Sequence, residues 1–134
     1  MSRTKGRLCA FHLLYQYGFN APEETEEMIS LYFQEHPEVS EQERAFAEKR
    51  FRGTLAHLPQ IDERLSGCAK GWSINRMNRV DLAILRLAVY ELCYETQDVP
   101  AGVAINEAVE LAKRFSSDKA PSFINGVLGA MVRQ

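Results

Sequence analysis

Residues 79–94 read RVDLAILRLAVYELCY, an apolar segment without a glycine or a proline. Val80, Ile84 and Leu87 recur at steps of three and four and mark one side of a helix. The other sides also carry apolar residues, namely Leu82, Leu85 and Val89. A helix that is apolar nearly all round lies at the centre of a domain, packed on several neighbours. The segment therefore predicts a central helix with an all-α fold around it.

Helical spacing continues on both sides of this segment, and strand-like alternation is almost absent. Ser40 and Glu43 have the spacing of a capping box, and Asp118 is placed to cap the last helix. We expect Asn106 to bond a neighbouring helix end, and Gly126 to lie at a close helix crossing.

The prediction is six or seven helices in two small packed bundles that share the central helix. The further predicted helices span about 3–17, 22–35, 41–58, 60–69, 103–115 and 119–133.

Composition restricts the class of protein. The 134 residues are 46% hydrophobic and 25% charged, which is typical of a globular domain and excludes disordered, collagen-like and mucin-like chains. No apolar run approaches the roughly 20 residues of a membrane span, and the N-terminus lacks the apolar segment of a secretory signal. The three cysteines are far apart and form no CxxC pair, which favours neither disulfides nor a zinc site. We therefore expect a cytoplasmic protein without a metal or a cofactor.

Charge is unevenly distributed along the chain. The formal net charge is -2, yet residues 23–48 hold nine of the eighteen acidic residues and one base. The remainder has fifteen bases against nine acids, a balance of +6. Because charge acts locally, the two ends of the chain keep a basic character that suits an anionic partner.

Catalytic motifs are absent from the sequence, which has no Gly-rich phosphate loop, nucleophile elbow, HExxH pair or Cys–His constellation. The adjacent carboxylates at 23–24 and 26–27 are typical of a solvated helix start rather than of a general acid and base. We therefore predict a binding protein and no enzyme.

Two basic sets are suited to phosphate groups. Arg3, Lys5 and Arg7 cluster near a helix start, where cations oppose the helix dipole, so helix stability does not explain them. The second set, near the C-terminus, is Lys113, Arg114 and Lys119. The last helix begins beside it, where backbone N–H groups attract phosphate, and Phe123 follows with an aromatic ring that can stack on an unpaired base. The alternatives are a solvated basic N-terminus for the first set and core packing for Phe123.

Several ordered stretches are distinctive. They are WSINRMNRVD at 72–81, ILRLAVYEL at 84–92, AINEAVELAK at 104–113 and FINGVL at 123–128, together with Val99-Pro100 and the first helix, ending in LLYQ at 13–16. Together these stretches resemble the NusB family of bacterial transcription antitermination factors. The resemblance spans essentially the whole chain and is weak only across residues 20–60.

The resemblance implies one NusB-like domain over residues 1–134, with helical subdomains of roughly 1–70 and 71–134. It also implies a factor that binds the single-stranded boxA element of ribosomal RNA leader transcripts together with NusE, a small ribosomal subunit protein. In that family the complex joins RNA polymerase and suppresses premature termination, and no step is catalytic.

By position, the resemblance also implies roles for particular residues. Those expected to contact RNA are Arg3, Lys5, Arg7, Tyr15, Lys119 and Phe123, and those expected to contact NusE are Asn75, Arg76 and Asp81. Thr4 and Gly6 interrupt the basic run usual at the family's N-terminus, which would remove about one phosphate contact. A further group is interpreted as structural: Trp72, Arg86, Tyr90, Asn106 and Asn125.

Two rival functions compete with this interpretation. One is the related RNA-binding domain of ribosomal RNA cytosine methyltransferases, which a catalytic domain should follow, whereas this chain stops at Gln134. The other is a protein-binding helical scaffold whose basic ends are incidental.

A monomer and a homodimer that masks the RNA surface are both compatible with the sequence, since an exposed apolar helical face would permit self-association.

Overall fold

The computed structural model describes residues 1–69, 71 and 73–133. These residues form seven α-helices and no β-strand, which confirms the predicted all-α class. The helices are α1 (Arg3–Tyr17), α2 (Thr25–Gln34), α3 (Glu41–Ala56), α4 (Leu58–Cys68), α5 (Arg79–Tyr94), α6 (Ala101–Phe115) and α7 (Ala120–Val132). One-turn 3₁₀ segments, Pro22–Glu24 and Ile74–Arg76, precede α2 and α5. Among the described residues, no helix is long and apolar enough to span a membrane.

Contacts between residues divide the chain into two compact units, Met1–Arg52 and Gly53–Gln134, and the division falls inside α3. The sequence placed a subdomain boundary near residue 70. In the structure α4 belongs with the second unit, because its buried Ile61 and Leu65 lie on a helix that contacts α5 and α7. Trp72, interpreted as structural, lies outside the described residues.

In the first unit, α1 packs against α2 around a buried tyrosine. The hydroxyl of Tyr32 lies 2.7 Å from Nδ1 of His12, and its ring stacks on that of His36 with the centroids 4.2 Å apart. Burial raises the pKa of the Tyr32 hydroxyl, so this group stays protonated and can donate. The apolar residues buried on these two helices are Cys9, Ala10, Phe11, Leu13, Leu14, Met28, Ile29 and Phe33.

Ser40 and Glu43 form the predicted capping box at the start of α3. The backbone N–H of Glu43 donates to Ser40 Oγ at 3.1 Å, and that of Ser40 donates to Glu43 Oε1 at 3.0 Å. The backbone N–H of Ser2 donates to Glu43 Oε2 at 2.8 Å, so the start of α1 is tied to the start of α3. Hydrogen bonds from the backbone of Ser40 and then of Ser2 hold the pKa of Glu43 below its usual range.

In the second unit, α5 contacts α4, α6 and α7, which confirms the prediction of a central helix for this unit. Arg86 of α5 donates to Asp62 of α4 through Nε at 2.9 Å and Nη2 at 2.8 Å, a bidentate ion pair. The apolar residues buried on α5 are Ala83, Ile84, Leu85, Leu87, Ala88, Val89 and Tyr90.

Tyr90 has the structural role expected of it. Its hydroxyl donates to Glu95 Oε2 at 2.7 Å. Its ring lies against Gly53, where an added Cβ atom would collide with the ring's Cζ. The glycine is therefore needed for the close approach of this ring to the backbone of α3.

Three local predictions are wrong. Lys119 occupies the N-cap position of α7 and no side chain caps that helix, so Asp118 is not its cap. Asn106 is exposed on α6 instead of bonding a helix end, because α6 buries its alanines and turns the amide to solvent. A Cβ at Gly126 would meet nothing within 4 Å, so no close crossing occurs there. The alanines that α6 buries are Ala104, Ala108 and Ala112.

Candidate nucleic-acid interface

The predicted N-terminal cations lie on α1 of the first unit at three different depths. Arg3 is exposed, whereas Lys5 is half-buried and its Nζ donates to the backbone carbonyl of Glu38 at 3.2 Å. Arg7 is only 3% exposed. The side chain of Arg3 is therefore accessible to a phosphate group, whereas that of Arg7 is buried within the unit.

Phe46 of α3 explains why Arg7 is interior. The Cζ atoms of Arg3 and Arg7 each lie 5.6 Å from the centroid of its ring, and that of Arg50 lies 4.4 Å away. A cation over an aromatic face is attracted by the ring's quadrupole. A Cβ at Gly6 would come within 2.5 Å of Phe46 Cδ1, so the glycine that interrupts the basic run is what admits the ring.

Tyr15 lies on the same unit, next to an aromatic residue that sequence reasoning missed. Tyr15 is 37% exposed and Phe19 is 59% exposed. Their rings meet edge to face with the centroids 5.1 Å apart. Two exposed aromatic rings in contact offer a stacking platform for unpaired bases. The available signal was an aromatic residue directly after the helix-ending Gly18.

The second unit contains a pocket of about 390 Å³ that brings together residues predicted for two different partners. Lys119 and Phe123 were expected to contact RNA, whereas Arg76 and Asp81 were expected to contact NusE. The remaining predicted residue, Asn75, is exposed on the 3₁₀ segment outside the pocket lining. The residues that line the pocket are Arg76, Met77, Asn78, Asp81, Ser117, Lys119, Ala120 and Phe123.

Asp81 is a buried acceptor in the wall of this pocket, with 9% of its surface exposed. Its position is fixed from two sides. Asn78 Oδ1 accepts from the backbone N–H groups of Val80 at 2.8 Å and Asp81 at 3.4 Å, which caps α5. Ser116, the C-cap residue of α6, donates from Oγ to Asp81 Oδ1 at 2.5 Å. Ser116 and Asn78 were not among the predicted site residues.

Lys119 and Phe123 enter the pocket from the first turn of α7. Lys119 is the N-cap residue and is exposed. Phe123 follows one turn later and is only partly buried, whereas Ile124 and Val127 are buried in the core. Core packing therefore accounts for Ile124 and Val127, and it leaves part of the Phe123 ring accessible.

A second groove, of about 350 Å³, lies in the first unit and has the opposite charge. Glu24, Glu27 and Glu35 line it beside the exposed Leu31, and no basic side chain is part of its lining. Carboxylates repel phosphate groups, so this groove is a poor site for RNA. Within the described ranges, no group of three His, Cys, Asp or Glu side chains could hold a metal ion.

Comparison with known proteins decides the family. The family model described as "NusB family" matches residues 4–133. The chain belongs to the NusB family. A transcription antitermination protein NusB from Geobacter sulfurreducens is 42% identical over 127 residues, which cover 95% of this chain and 91% of that relative. The NusB protein of Acetivibrio thermocellus is 40% identical over 133 residues, which cover 99% of this chain and 90% of that relative.

Solved NusB structures share the fold. NusB of T. maritima superposes with a TM-score of 0.89 at 34% identity, covering 100% of this chain and 92% of that one. A structure of the antitermination factors NusB and NusE in complex with double-stranded RNA matches with a TM-score of 0.86 at 27% identity, covering 98% of this chain and 96% of that one. The predicted family and the predicted class of function, transcription antitermination, are confirmed. These relatives are named as transcription antitermination proteins, in agreement with the prediction of a binding protein.

Proposed function

We propose that this protein binds the boxA element of ribosomal RNA leader transcripts together with NusE, and that the complex acts on RNA polymerase to suppress premature termination. Family membership and the solved NusB–NusE–RNA complex support RNA and NusE as partner classes. The observation that carries the assignment to this chain is the pocket of the second unit, which combines Lys119 and Phe123 with Arg76 and Asp81.

The RNA side of the proposal uses cations for the backbone and rings for the bases. Arg3 and Lys119 are exposed and can each meet a phosphate. Tyr15 and Phe123 present partly exposed rings on which unstacked bases can lie. Lys5 and Arg7 contribute positive charge from less exposed positions, and Arg7 also holds Phe46 against α1.

The NusE side of the proposal uses the segment that leads into α5. Asn75 and Arg76 are exposed on its 3₁₀ turn, and Asp81 follows in the first turn of the helix. Because Arg76 and Asp81 also line the pocket with Phe123, the proposed protein and RNA surfaces meet there. RNA and NusE bound side by side at this pocket would contact each other, so each should bind more tightly when the other is present.

The rival functions are not favoured. The relatives from Geobacter sulfurreducens and Acetivibrio thermocellus are covered over 91% and 90% of their own lengths, and both are named for antitermination. No comparable observation supports a methyltransferase domain or a scaffold that ignores RNA.

Fluorescence anisotropy with a labelled boxA-like RNA and a scrambled RNA, each with and without NusE, tests the proposal. We expect the boxA-like RNA to bind more tightly than the scrambled one, and NusE to increase the difference. Equal and weak binding of both RNAs under every condition would contradict the proposal. Light scattering on the same samples distinguishes a monomer from a homodimer. It also shows whether a homodimer dissociates into monomers when RNA binds.

A further inference from the structure

We propose that the groove of the first unit docks a basic segment of a protein partner, in which one apolar side chain is flanked by lysine or arginine. The groove lies between the end of α1 and the outer face of α2, and no residue assigned above to RNA or to NusE lines it. The inference rests on the proposed function, because it places this partner in the transcription complex as a component other than NusE. The residues that line the groove are Gln16, Asn20, Glu24, Glu27, Met28, Leu31, Tyr32 and Glu35.

The outer face of α2 forms one wall of the groove. Ile29 and Phe33 are buried on the inner face of this helix. On the outer face, Glu27, Leu31 and Glu35 recur at steps of four, and all three are exposed. Residues four apart lie on one side of a helix, one turn after another. The helix therefore presents to solvent a stripe in which a leucine lies between two carboxylates.

Leu31 is the apolar centre of this stripe, with 48% of its surface exposed. Met28 lies one turn earlier and is buried, and its Sδ is 3.6 Å from Nδ2 of Asn20, which holds the end of α1 against α2. The volume of the groove, about 350 Å³, lies within the range of ligand pockets, roughly 300 to 1,000 Å³. An exposed leucine in such a concave surface offers apolar area for a partner side chain to cover.

The negative charge of the groove is not neutralised within the first unit. Glutamates line the groove and no basic side chain does. Arg52 of α3 donates to the two carboxylate oxygens of Glu26 at 2.8 and 2.9 Å, so this cation is already paired outside the groove. In the part of the chain that the structure describes, neither Glu27 nor Glu35 takes part in an ion pair. The groove therefore attracts a cationic partner.

The stability of α2 does not explain this arrangement. Glu27 lies in the first turn, where a negative charge suits the helix dipole. Glu35 is the C-cap residue, where a negative charge opposes the dipole. The exposed Leu31 likewise gains little from the packing of the unit itself. A partner that pairs with Glu35 and covers Leu31 would account for both residues.

These features favour a basic protein segment over other occupants. Phosphate groups would meet only carboxylates, which argues against RNA. Within the described ranges, no group of three His, Cys, Asp or Glu side chains could hold a metal ion. A basic amphipathic segment matches the whole stripe, because its apolar side chain would cover Leu31 and its cations would pair with Glu27 and Glu35.

The test compares two groove variants with two matched controls in the full-length protein. Leu31→Ser removes the apolar centre, and Val132→Ser removes an exposed valine of the second unit as its control. Glu27→Lys reverses a charge of the groove. Its control is Glu23→Lys, which reverses an exposed charge beside the same end of α2 but outside the groove. Circular dichroism confirms that each variant is folded.

The first measurement is fluorescence anisotropy with a labelled helical peptide that carries leucines on one face and lysines on both sides of them. A peptide with glutamates in place of the lysines is the negative probe. We expect the lysine peptide to bind the wild type and both controls alike. Leu31→Ser should weaken this binding about tenfold, as expected for losing most of the burial of one leucine, and Glu27→Lys should weaken it about fivefold.

The second measurement is terminator readthrough by RNA polymerase on a template with a boxA element, with NusE present. We expect both groove variants to bind boxA-like RNA and NusE as the wild type does, yet to lose more than half of the readthrough. Both controls should retain it. This combination would separate the docking of a further protein from the binding of RNA and NusE.

Four results would overturn the inference. The first is lysine-peptide binding that the groove variants weaken no more than the controls do. The second is full readthrough with both groove variants. The third is weakened NusE binding by these variants, which would assign the groove to NusE. The fourth is a homodimer, seen by light scattering, that the groove variants abolish, which would assign the groove to a second copy of the chain.

The proposed function fails in a different way. A wild-type protein that does not bind boxA-like RNA with or without NusE would contradict the proposed function. Binding of the lysine peptide to the groove is measured without RNA and would still show whether the groove docks a basic segment.

Discussion

Ser116 Oγ donates a hydrogen bond to Asp81 Oδ1 at 2.5 Å, and this bond joins the end of α6 to the first turn of α5. The two residues are 35 positions apart in the chain. This hydrogen bond holds the Asp81 carboxylate in place in the wall of the pocket. It also holds the C-terminal end of α6 against the first turn of α5. It therefore contributes both to the stability of the second unit and to the geometry of the site.

Replacing Ser116 by alanine tests this contact. The Ser116→Ala variant leaves a buried carboxylate oxygen without its donor, which costs about 1 to 3 kcal/mol of unfolding free energy. Urea denaturation measures the loss. The control is Ser66→Ala on the exposed side of α4, which should change stability by no more than about 0.5 kcal/mol. Equal stability of the two variants would show that the bond is unimportant in solution.

Substitutions of Arg3 and Arg7 should have different effects, with Arg3 affecting mainly RNA binding and Arg7 affecting mainly the free energy of unfolding. Arg7→Glu places a negative charge in the interior beside Phe46 and should lower the unfolding free energy by about 3 kcal/mol. Arg3→Ala removes a surface cation–π contact with Phe46 and should lower the unfolding free energy by no more than about 1 kcal/mol. It should also reduce the salt dependence of RNA binding by about 0.7 in slope, the value of one single-strand phosphate contact.

The control for Arg3→Ala is Lys49→Ala, which removes an exposed cation of the first unit that was not predicted to contact RNA. Its salt slope should equal that of the wild type. Identical slopes for the Arg3 and Lys49 variants would remove Arg3 from the RNA surface. A fully stable Arg7→Glu protein would contradict the interior position of that side chain.

Gly6 should be intolerant of any side chain. A Cβ there would come within 2.5 Å of Phe46, and overpacking of this kind costs about 1 to 3 kcal/mol. Gly67 lies in α4 with no atom within 4 Å of its added Cβ, so Gly67→Ala should stabilise the protein by about 0.5 to 1 kcal/mol. Thermal unfolding of both variants shows whether each substitution lowers or raises the stability of the protein. A Gly6→Ala protein more stable than the wild type would contradict the packing of Phe46 against Gly6.

The hydrogen bonds to the Glu43 carboxylate predict that the free energy of unfolding depends on pH. Its folded pKa lies below the unfolded value because the backbone N–H groups of Ser40 and Ser2 bond the carboxylate. The resulting stabilisation is present above the unfolded pKa and is lost as the pH falls through the folded pKa. Glu43→Gln should therefore be less stable than the wild type at neutral pH, and the gap should narrow in acid.

Glu41→Gln is the control for this pH dependence, since Glu41 is exposed in the same first turn. The change of the stability gap with pH should be larger for Glu43→Gln than for Glu41→Gln. A gap for Glu43→Gln that stays constant from neutral pH to pH 3 would contradict the capping interaction.

Local sequence patterns were sufficient for the helices and for the capping box. The apolar spacing of residues 79–94 predicted α5 with its observed bounds, Arg79–Tyr94, and Ser40 with Glu43 marked the start of α3. Both signals are short-range and depend on residues within one or two helical turns of each other.

Long-range contacts could not be predicted in this way. Helical spacing placed Arg3 and Arg7 on one face of α1, but only the fold shows that the face meets Phe46 and that Arg7 is buried. The pairing of Ser116 with Asp81 likewise depends on how α6 packs beside α5. Assigning Asp81 and Phe123 to two partners followed from motif position alone, and it missed that they line one pocket.

The most direct test of the RNA site is a titration of the ¹⁵N-labelled protein with boxA-like RNA, followed by amide chemical shifts. We expect the largest changes in the second unit at residues that line the pocket, namely Asp81, Ser117, Lys119 and Phe123. Changes confined to the acidic groove around Glu24, Glu27 and Glu35, with the pocket amides unmoved at saturating RNA, would contradict this expectation.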